Sequence, residues 1–389
     1  MSMNPKDDQL LHQALELARA GAGLASPNPL VGALIVDVQG ELVGTGTYSY
    51  AGVKHAEILA LESAGERARG GTLYVNLEPH GHQGRTPPCT NALIAAGVRR
   101  VVASMADPNP RVSGRGFKQL ENAGVLVDVG RFEQEARRLN EAFARYIRHG
   151  VPLVTLKSAM SLDAKIEPGF SGKKNAASNA FSGTWITGEA ARRHAHEMRH
   201  ENDAILVGIG TILADNPLLT DRSGLPRRRP LLRVILDSQL RLPTESRIVQ
   251  SAAAERKDDV LVFCISADEN RQHQLKQLGV WVEQVPADAN GRPEIREALR
   301  RLADREITSV MVEGGASINA AILRQQIADK IFFYYAPAIL GSGSVPFAVN
   351  RGENVPGDDL RRGLRVTDVR LHSFGEDLAV EGYLRDPYD

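Results

Sequence analysis

The 389 residues carry 47 Lys+Arg against 47 Asp+Glu, a formal net charge of zero. That length predicts two or three domains of roughly 100–200 residues each, and the even charge argues against a protein built mainly to bind nucleic acid. Only 2 cysteines, Cys89 and Cys264, are present, which excludes a disulfide framework and a cysteine-rich zinc cluster.

The N-terminal residues are polar, and no apolar run is long enough to span a membrane, so a cytoplasmic protein without a membrane partner is expected. Up to about residue 148, helical and strand-like segments alternate. Residues 10–20 have helical spacing, 31–37 form a Val- and Ile-rich strand run, 55–64 are helical, 72–77 strand-like, 91–96 helical and 100–104 strand-like. The cycle continues with 114–123, 125–129 and a helical 132–147. Such alternation predicts βαβ units around a parallel or mixed sheet. Gly150 and Pro152 stop the long helical pattern, which sets the domains at 1–149 and 150–389.

A second α/β pattern follows, with strands expected at 153–158, 204–207, 231–237, 259–264, 280–283, 309–312 and 330–335. Residues 364–370 and 378–384 have no helix between them and read as an antiparallel pair. Residues 169–182, rich in Gly, Ser, Asn and Lys, read as an exposed loop.

The strongest chemistry in the first half lies in His55-Ala56-Glu57 and in the stretch from Glu78 to Cys89. A catalytic zinc takes three protein ligands and keeps a fourth position for water. His55 opens a helical pattern, and Glu57, two residues on, can move a proton from an activated water to a leaving amine. Cys89 follows Pro87-Pro88 at a helix start, where the backbone favours a thiolate. Zinc nucleobase deaminases use an H-x-E element, then Pro-Cys and a further Cys. Here His80 stands where that pattern has its first Cys. Imidazole is a good zinc ligand, and the exchange removes one negative charge. His82 is a competing candidate for the same place.

With those residues in view, 9–145 resembles the deaminase half of the bifunctional riboflavin-biosynthesis deaminase/reductases. The resemblance is carried by Pro27-Asn28-Pro29-Leu30-Val31-Gly32, His55-Ala56-Glu57, Thr72-Leu73-Tyr74-Val75, Gly84-Arg85-Thr86-Pro87-Pro88-Cys89 and Asp107-Pro108-Asn109-Pro110. It implies a cytidine-deaminase-like fold and hydrolytic loss of the 2-amino group of 2,5-diamino-6-(5-phosphoribosylamino)pyrimidin-4-one. It also implies one Zn2+ per chain on His55, His80 and Cys89, with Glu57 as proton shuttle and Asn28 on the pyrimidine. On its own, Asn28 between two prolines reads equally well as a turn residue.

In the second half, a strand at 307–312 runs into Glu313-Gly314-Gly315 and a helical pattern. That is a place for backbone amides to hold a phosphate, although a Gly-Gly turn is also a plain connection. It is not the dinucleotide fingerprint G-x-G-x-x-G. A second glycine turn follows 204–207, and Arg222, Arg227, Arg228, Arg229 and Arg233 cluster beyond it, as either a phosphate site or a solvated face.

Residues 151–385 resemble the reductase half of the same family through Leu156-Lys157-Ser158-Ala159-Met160-Ser161-Leu162-Asp163, Trp185-Ile186-Thr187-Gly188, Leu213-Ala214-Asp215-Asn216-Pro217, Val234-Ile235-Leu236-Asp237-Ser238 and Glu313-Gly314-Gly315. The implied fold is dihydrofolate-reductase-like, and NADPH reduces the ribosyl group to ribityl. By position, Ala159, Trp185, Thr211, Asp215, Ser238, Gly315, Ala316, Ser317, Ile318, Asn319, Ala320 and Ala321 line the cofactor. Arg199, Leu219, Arg222 and Glu313 meet the substrate, with Arg199 and Arg222 on its phosphate, and Lys157 lies beside the reaction centre.

Three departures from the family pattern stand out: Ala164 replaces a glycine, Gly183 replaces a serine, and the loop before Trp185 is long. The family also implies a homo-oligomer acting on small phosphoribosylaminopyrimidines. The alternatives left open are a reductase with a degenerate deaminase half and a non-catalytic ligand-binding module. Cys264 reads as a core residue.

Overall fold

The computed structural model describes residues 5–82, 87–167, 185–349 and 363–389. The chain divides into two compact bodies. One is Met1–Gly150 with Pro226–Arg229 and Tyr388; the other is Val151–Leu225 with Pro230–Pro387 and Asp389.

The first body runs α1 (Pro5–Arg19), β1 (Gly32–Val36), β2 (Leu42–Thr47), α2 (Ala56–Ala64), β3 (Thr72–Leu77), α3 (Cys89–Ala95), β4 (Arg100–Met105), α4 (Arg115–Asn122), β5 (Leu126–Val129), α5 (Glu133–Leu139) and α6 (Glu141–His149). Its sheet has the order β2-β1-β3-β4-β5. β1 pairs antiparallel with β2 and β3, while β3, β4 and β5 are mutually parallel. The sheet is therefore mixed. β1, β3 and β4 are buried almost throughout, as expected of strands covered on both faces.

Two differences from the sequence reading have physical causes. β2 reads Leu-Val-Gly-Thr-Gly-Thr, and glycine weakens a strand signal. Those glycines admit α2: a Cβ at Gly44 would stand 2.1 Å from Ala60 O, and one at Gly46 2.1 Å from Ala56 O. The helix expected over 132–147 is broken at Asn140. Its buried side chain accepts from Leu30 N at 2.8 Å and donates to Leu30 O at 3.1 Å.

The second body runs β6 (Leu153–Ser161), β7 (Lys165–Glu167), α7 (Glu189–Glu201), β8 (Ala204–Gly208), α8 (Ile209–Asp215), β9 (Leu232–Leu236), α9 (Arg247–Glu255), β10 (Val260–Cys264), α10 (Glu269–Gln277) and β11 (Val280–Gln284). It ends with α11 (Ile295–Asp304), β12 (Ser309–Val312), α12 (Ala316–Arg324), β13 (Lys330–Ala336), β14 (Val345–Pro346), β15 (Thr367–Phe374) and β16 (Asp377–Tyr383). The main sheet has the order β11-β10-β9-β8-β12-β6-β13-β16-β15. Strands from β11 through β13 are parallel, and the last two are antiparallel, as the unbroken pair of segments predicts. Two apolar clusters line the two faces. One takes Ala191, Met198, Ile248 and Ala252 from α7 and α9, the other Ala298, Leu302, Ala321 and Ile322 from α11 and α12. The result is a three-layer α/β/α body. Buried Cys264 ends β10 as a core residue. Residues 169–182, Gly183 and Gly84-Arg85-Thr86 lie outside the described residues.

Candidate functional sites

In the first body, His55 is the residue before α2, in extended conformation, and Glu57 lies in the first turn. His80 follows the end of β3, and Cys89 opens α3. The ligating atoms of His55, His80 and Cys89 all lie within 4.8 Å of one another, the cluster with metal-ligand spacing among the described residues. His55 Nδ1 stands 3.0 Å from Cys89 Sγ. His80 Nδ1 is buried and has no hydrogen-bond partner. Burial, then His55 and His82, lower the His80 pKa to about 4, which keeps its imidazole neutral, as a ligand must be. A buried nitrogen without a proton partner, a second imidazole and a thiol fit a tetrahedral zinc with one open position. His82 packs edge-on against His80, with ring centroids 4.2 Å apart, and is exposed.

Cys89 departs from the expected thiolate. Burial and the Glu57 carboxyl push its pKa well up, and seven-residue α3 does not outweigh them. A bound cation is what would make it an anion. Glu57 is buried, hydrogen-bonded with Cys89 and shifted upward by burial against the opposing effect of His55. Asn28 Nδ2 donates to Tyr48 OH at 2.5 Å, and the Tyr48 ring meets His55 edge-on at 5.7 Å. Asn76 and Asn140 hold the neighbouring Leu30–Gly32 backbone. Asp107 is shifted up to about 6, chiefly by burial.

In the second body, the sheet register sets Val312 of β12 opposite Leu156 of β6 and Leu206 of β8. The next residues, Lys157 and Glu313, therefore lie side by side, with Nζ 3.5 Å from Oε2. Arg199, on α7, closes on Glu313 through Nε and Nη2 and donates from Nη1 to Thr220 O at 3.1 Å. Burial raises the Glu313 pKa, but the Arg199 and Lys157 charges outweigh it and hold the carboxyl at about 2. Leu219 is buried with left-handed φ 56, and exposed Arg222 donates to Thr220 Oγ1. His196 was not singled out by the sequence. Its α7 position three before Arg199 is the one available signal, and its Nδ1 is buried without a partner.

The expected cofactor residues gather at the carboxyl ends of parallel strands, the usual ligand edge of such sheets. Ala159 is on β6, Thr211 and Asp215 are on α8 after β8, and Ser238 follows β9. Gly315 precedes α12, whose first turn has no side-chain cap. A Cβ at Gly208 would lie 2.9 Å from Ile318 Cγ1, and one at Gly314 2.6 Å from Ile318 Cβ, so both glycines let α12 approach the sheet. Gly210 faces open space, and a Cβ at Gly315 would meet only Thr211 Oγ1, 4.0 Å away. Bare amides beside open glycines fit the phosphates of a dinucleotide. Ser317, Ala320 and Ala321 continue along α12. Asn319 is fully buried, and its Nδ2 donates to Phe347 O at 2.9 Å. Trp185 is 64% exposed and lies under the Arg192 guanidinium.

Residues 4–105 match the family described as cytidine and deoxycytidylate deaminase zinc-binding region, and residues 152–380 match the RibD C-terminal domain. The chain is 38% identical over 375 residues to riboflavin biosynthesis protein RibD of Aquifex aeolicus, covering 96% of this chain and 97% of that protein. It is 39% identical over 352 residues to the Escherichia coli RibD, covering 87% and 89%. Among solved structures, RibD of Acinetobacter baumannii superposes with a TM-score of 0.80 at 34% identity, over 97% of this chain and 99% of that one. A diaminohydroxyphosphoribosylaminopyrimidine deaminase/5-amino-6-(5-phosphoribosylamino)uracil reductase of Thermotoga maritima gives 0.76 at 34% identity over the same shares. With both α/β folds and both matches in hand, the chain belongs to the RibD family: it is a bifunctional enzyme of riboflavin biosynthesis, with a zinc-dependent deaminase half and an NADPH-dependent reductase half.

Proposed function

We propose that residues 1–149 remove the 2-amino group of 2,5-diamino-6-(5-phosphoribosylamino)pyrimidin-4-one as ammonia and that residues 150–389 reduce the ribosyl chain of the product to ribityl. The observation that carries the first step is the convergence of His55, His80 and Cys89 within 4.8 Å beside buried Glu57. These three residues would hold zinc, whose Lewis acidity activates a water for attack on the ring carbon. Glu57 is raised toward neutrality by burial, so its carboxylate takes a proton and returns it to the departing nitrogen. Water adds its oxygen to carbon and the C–N bond breaks; one water proton leaves on the departing amine as ammonia, and the other ends on the ring nitrogen of the product. Asn28, held by Tyr48, offers its amide to the pyrimidine edge.

For the second step, NADPH supplies the hydride. The amides of Gly315–Ser317 meet its phosphates, with Ile318–Ala321, Ala159, Trp185, Thr211, Asp215 and Ser238 along the rest. Lys157, fixed beside Glu313, donates a proton to the sugar nitrogen as the hydride reaches carbon. Leu219 and Arg222 meet the substrate. Arg222 is the cation with an exposed guanidinium for its phosphate, while Arg199 orients Glu313.

A degenerate deaminase half is not favoured, since the histidine at 80 places a nitrogen donor in the cluster. We further infer a cytoplasmic homo-oligomer. Among the described residues no helix is long and apolar enough to cross a membrane. The β15–β16 edge exposes Val369, Leu371 and Leu378, an apolar patch that suits a second copy. Light scattering showing a monomer at working concentration removes the oligomer.

The test of function is direct. Purified chain should carry about one zinc, release ammonia from the diaminopyrimidine, and oxidise NADPH only with the deaminated ribosylamino compound. Zinc without ammonia release removes the first assignment, and no NADPH oxidation with authentic substrate removes the second.

A further inference from the structure

Glu78 stands just past the end of β3, two residues before His80, and its carboxylate is 5% exposed. It accepts four backbone N–H bonds, all from one stretch of chain. Asp107 N at 3.0 Å and Gly114 N at 2.8 Å reach Oε2; Gly116 N at 2.7 Å and Phe117 N at 3.4 Å reach Oε1. A buried carboxylate survives only where its lone pairs are met in this way. The two segments are also in backbone contact. A Cβ at Gly116 would stand 2.0 Å from Pro79 O, and one at Gly81 2.9 Å from the Gly116 Cα. Thr90, next to Cys89, joins the same platform by donating from N to His80 O at 3.3 Å and from Oγ1 to Gln119 Oε1 at 2.8 Å.

A zinc-ligating histidine usually has its second ring nitrogen tied to a carboxylate or carbonyl, which fixes the ring. Among the described residues, His80 makes no side-chain hydrogen bond, and its ring meets only those of His55 and His82. Its orientation therefore depends on its backbone.

We propose that Glu78 is a positioning residue for the metal centre: by binding the amides of 107–117 it fixes the backbone that carries His80, and so the place of the histidine nitrogen relative to His55 and Cys89. This rests on the reading of those three residues as the zinc site. Glu78→Gln keeps the shape but replaces one accepting oxygen with an NH2 group that faces backbone donors.

The test uses the full-length chain. Zinc affinity is measured by competition with a chromophoric chelator, and the visible spectrum of the Co2+-loaded protein reports ligand geometry. NADPH oxidation by the same preparation reports that the other half is folded. Glu78→Gln should bind zinc on the order of tenfold more weakly, with shifted cobalt bands and unchanged NADPH oxidation. Glu78→Asp, with the charge kept and the reach shortened, should fall between the two. Equal zinc affinity and an identical cobalt spectrum in Glu78→Gln overturn the proposal. Should that chain not fold, Glu78→Asp is judged by the same two measurements. A wild-type chain that takes up no zinc overturns the zinc reading and this proposal with it, whereas tight binding by wild type and variant alike removes only the role of Glu78.

Discussion

Arg199 grips Glu313 through both carboxylate oxygens, Nε to Oε1 at 2.9 Å and Nη2 to Oε2 at 3.0 Å, across 114 positions of sequence. Both groups are largely buried, with Lys157 beside them. Removing one partner of such a pair leaves an uncompensated charge, which costs about 3–5 kcal/mol. Arg199→Met should destabilise the reductase half by roughly that amount and abolish NADPH oxidation, while ammonia release persists. Urea unfolding and the two activity assays check this.

The same pair sets an acid limit. Glu313 sits at about 2 against an ordinary 4.5. A carboxyl whose folded pKa is depressed contributes stability above its unfolded value and loses it as pH falls through the folded one. The advantage of wild type over Glu313→Gln should therefore be constant above about 4.5 and shrink from there toward about 2. Urea midpoints of both proteins across that range test this, and a difference that ignores pH contradicts it.

Gly46 is the point at which β2 admits the first turn of α2. A methyl there would stand 2.1 Å from Ala56 O, between His55 and Glu57. Gly46→Ala should displace that turn, destabilise the deaminase half by about 1–3 kcal/mol as overpacking does, and lower ammonia release with NADPH oxidation intact. Wild-type deamination in this variant would show that the turn yields without moving the two side chains.

With His80 as a ligand, the proposed donor set would be two imidazoles and one thiolate. His80→Cys adds a negative ligand and should retain zinc at least as tightly as wild type. His80→Ala should lose more than the roughly 10–100-fold that follows removal of an outer partner. Chelator competition distinguishes the two, and unchanged affinity in His80→Ala would move the ligand role to His82.

Ala164 occupies the left-handed region at φ 56, in a turn closed by its own N–H to Ser161 O at 2.9 Å. A side chain there costs roughly 1–2 kcal/mol, part of which glycine gives back through its freer unfolded chain. Ala164→Gly should raise stability by about 1 kcal/mol, or roughly 2–4 °C in the melting temperature of a body this size. Calorimetry decides it, and a lower midpoint refutes the strain argument.

The cluster of His55, His80 and Cys89 was legible in the sequence because its residues sit in short, self-announcing stretches. His55 and Glu57 share one turn, and His80 and Cys89 flank one loop. The parallel strands announce themselves through apolar runs, as β8, β10 and β12 do. What escaped depends on distant partners. β2 is hidden by glycines whose reason lies on α2. The break at Asn140 is explained only by Leu30, 110 positions away. Glu78 reads as any polar residue until the amides of 107–117 fold onto it. The handedness of Ala164 is a backbone angle that residue type alone does not reveal.

β12 lies between β6 and β8 in the sheet, although the chain makes it long after both. On the ribosome, β6 has no strand neighbour when it emerges, because both of its partners, β12 and β13, lie beyond Ser309. The pairings at the heart of the reductase are thus long-range ones, slow to form, while the strands of the first body are all made before Gly150. A growing chain would present a zinc-binding half with its own sheet complete, lacking only Pro226–Arg229 and Tyr388, attached to a sheet still without its middle, so termination before β12 should eliminate NADPH oxidation and leave ammonia release measurable.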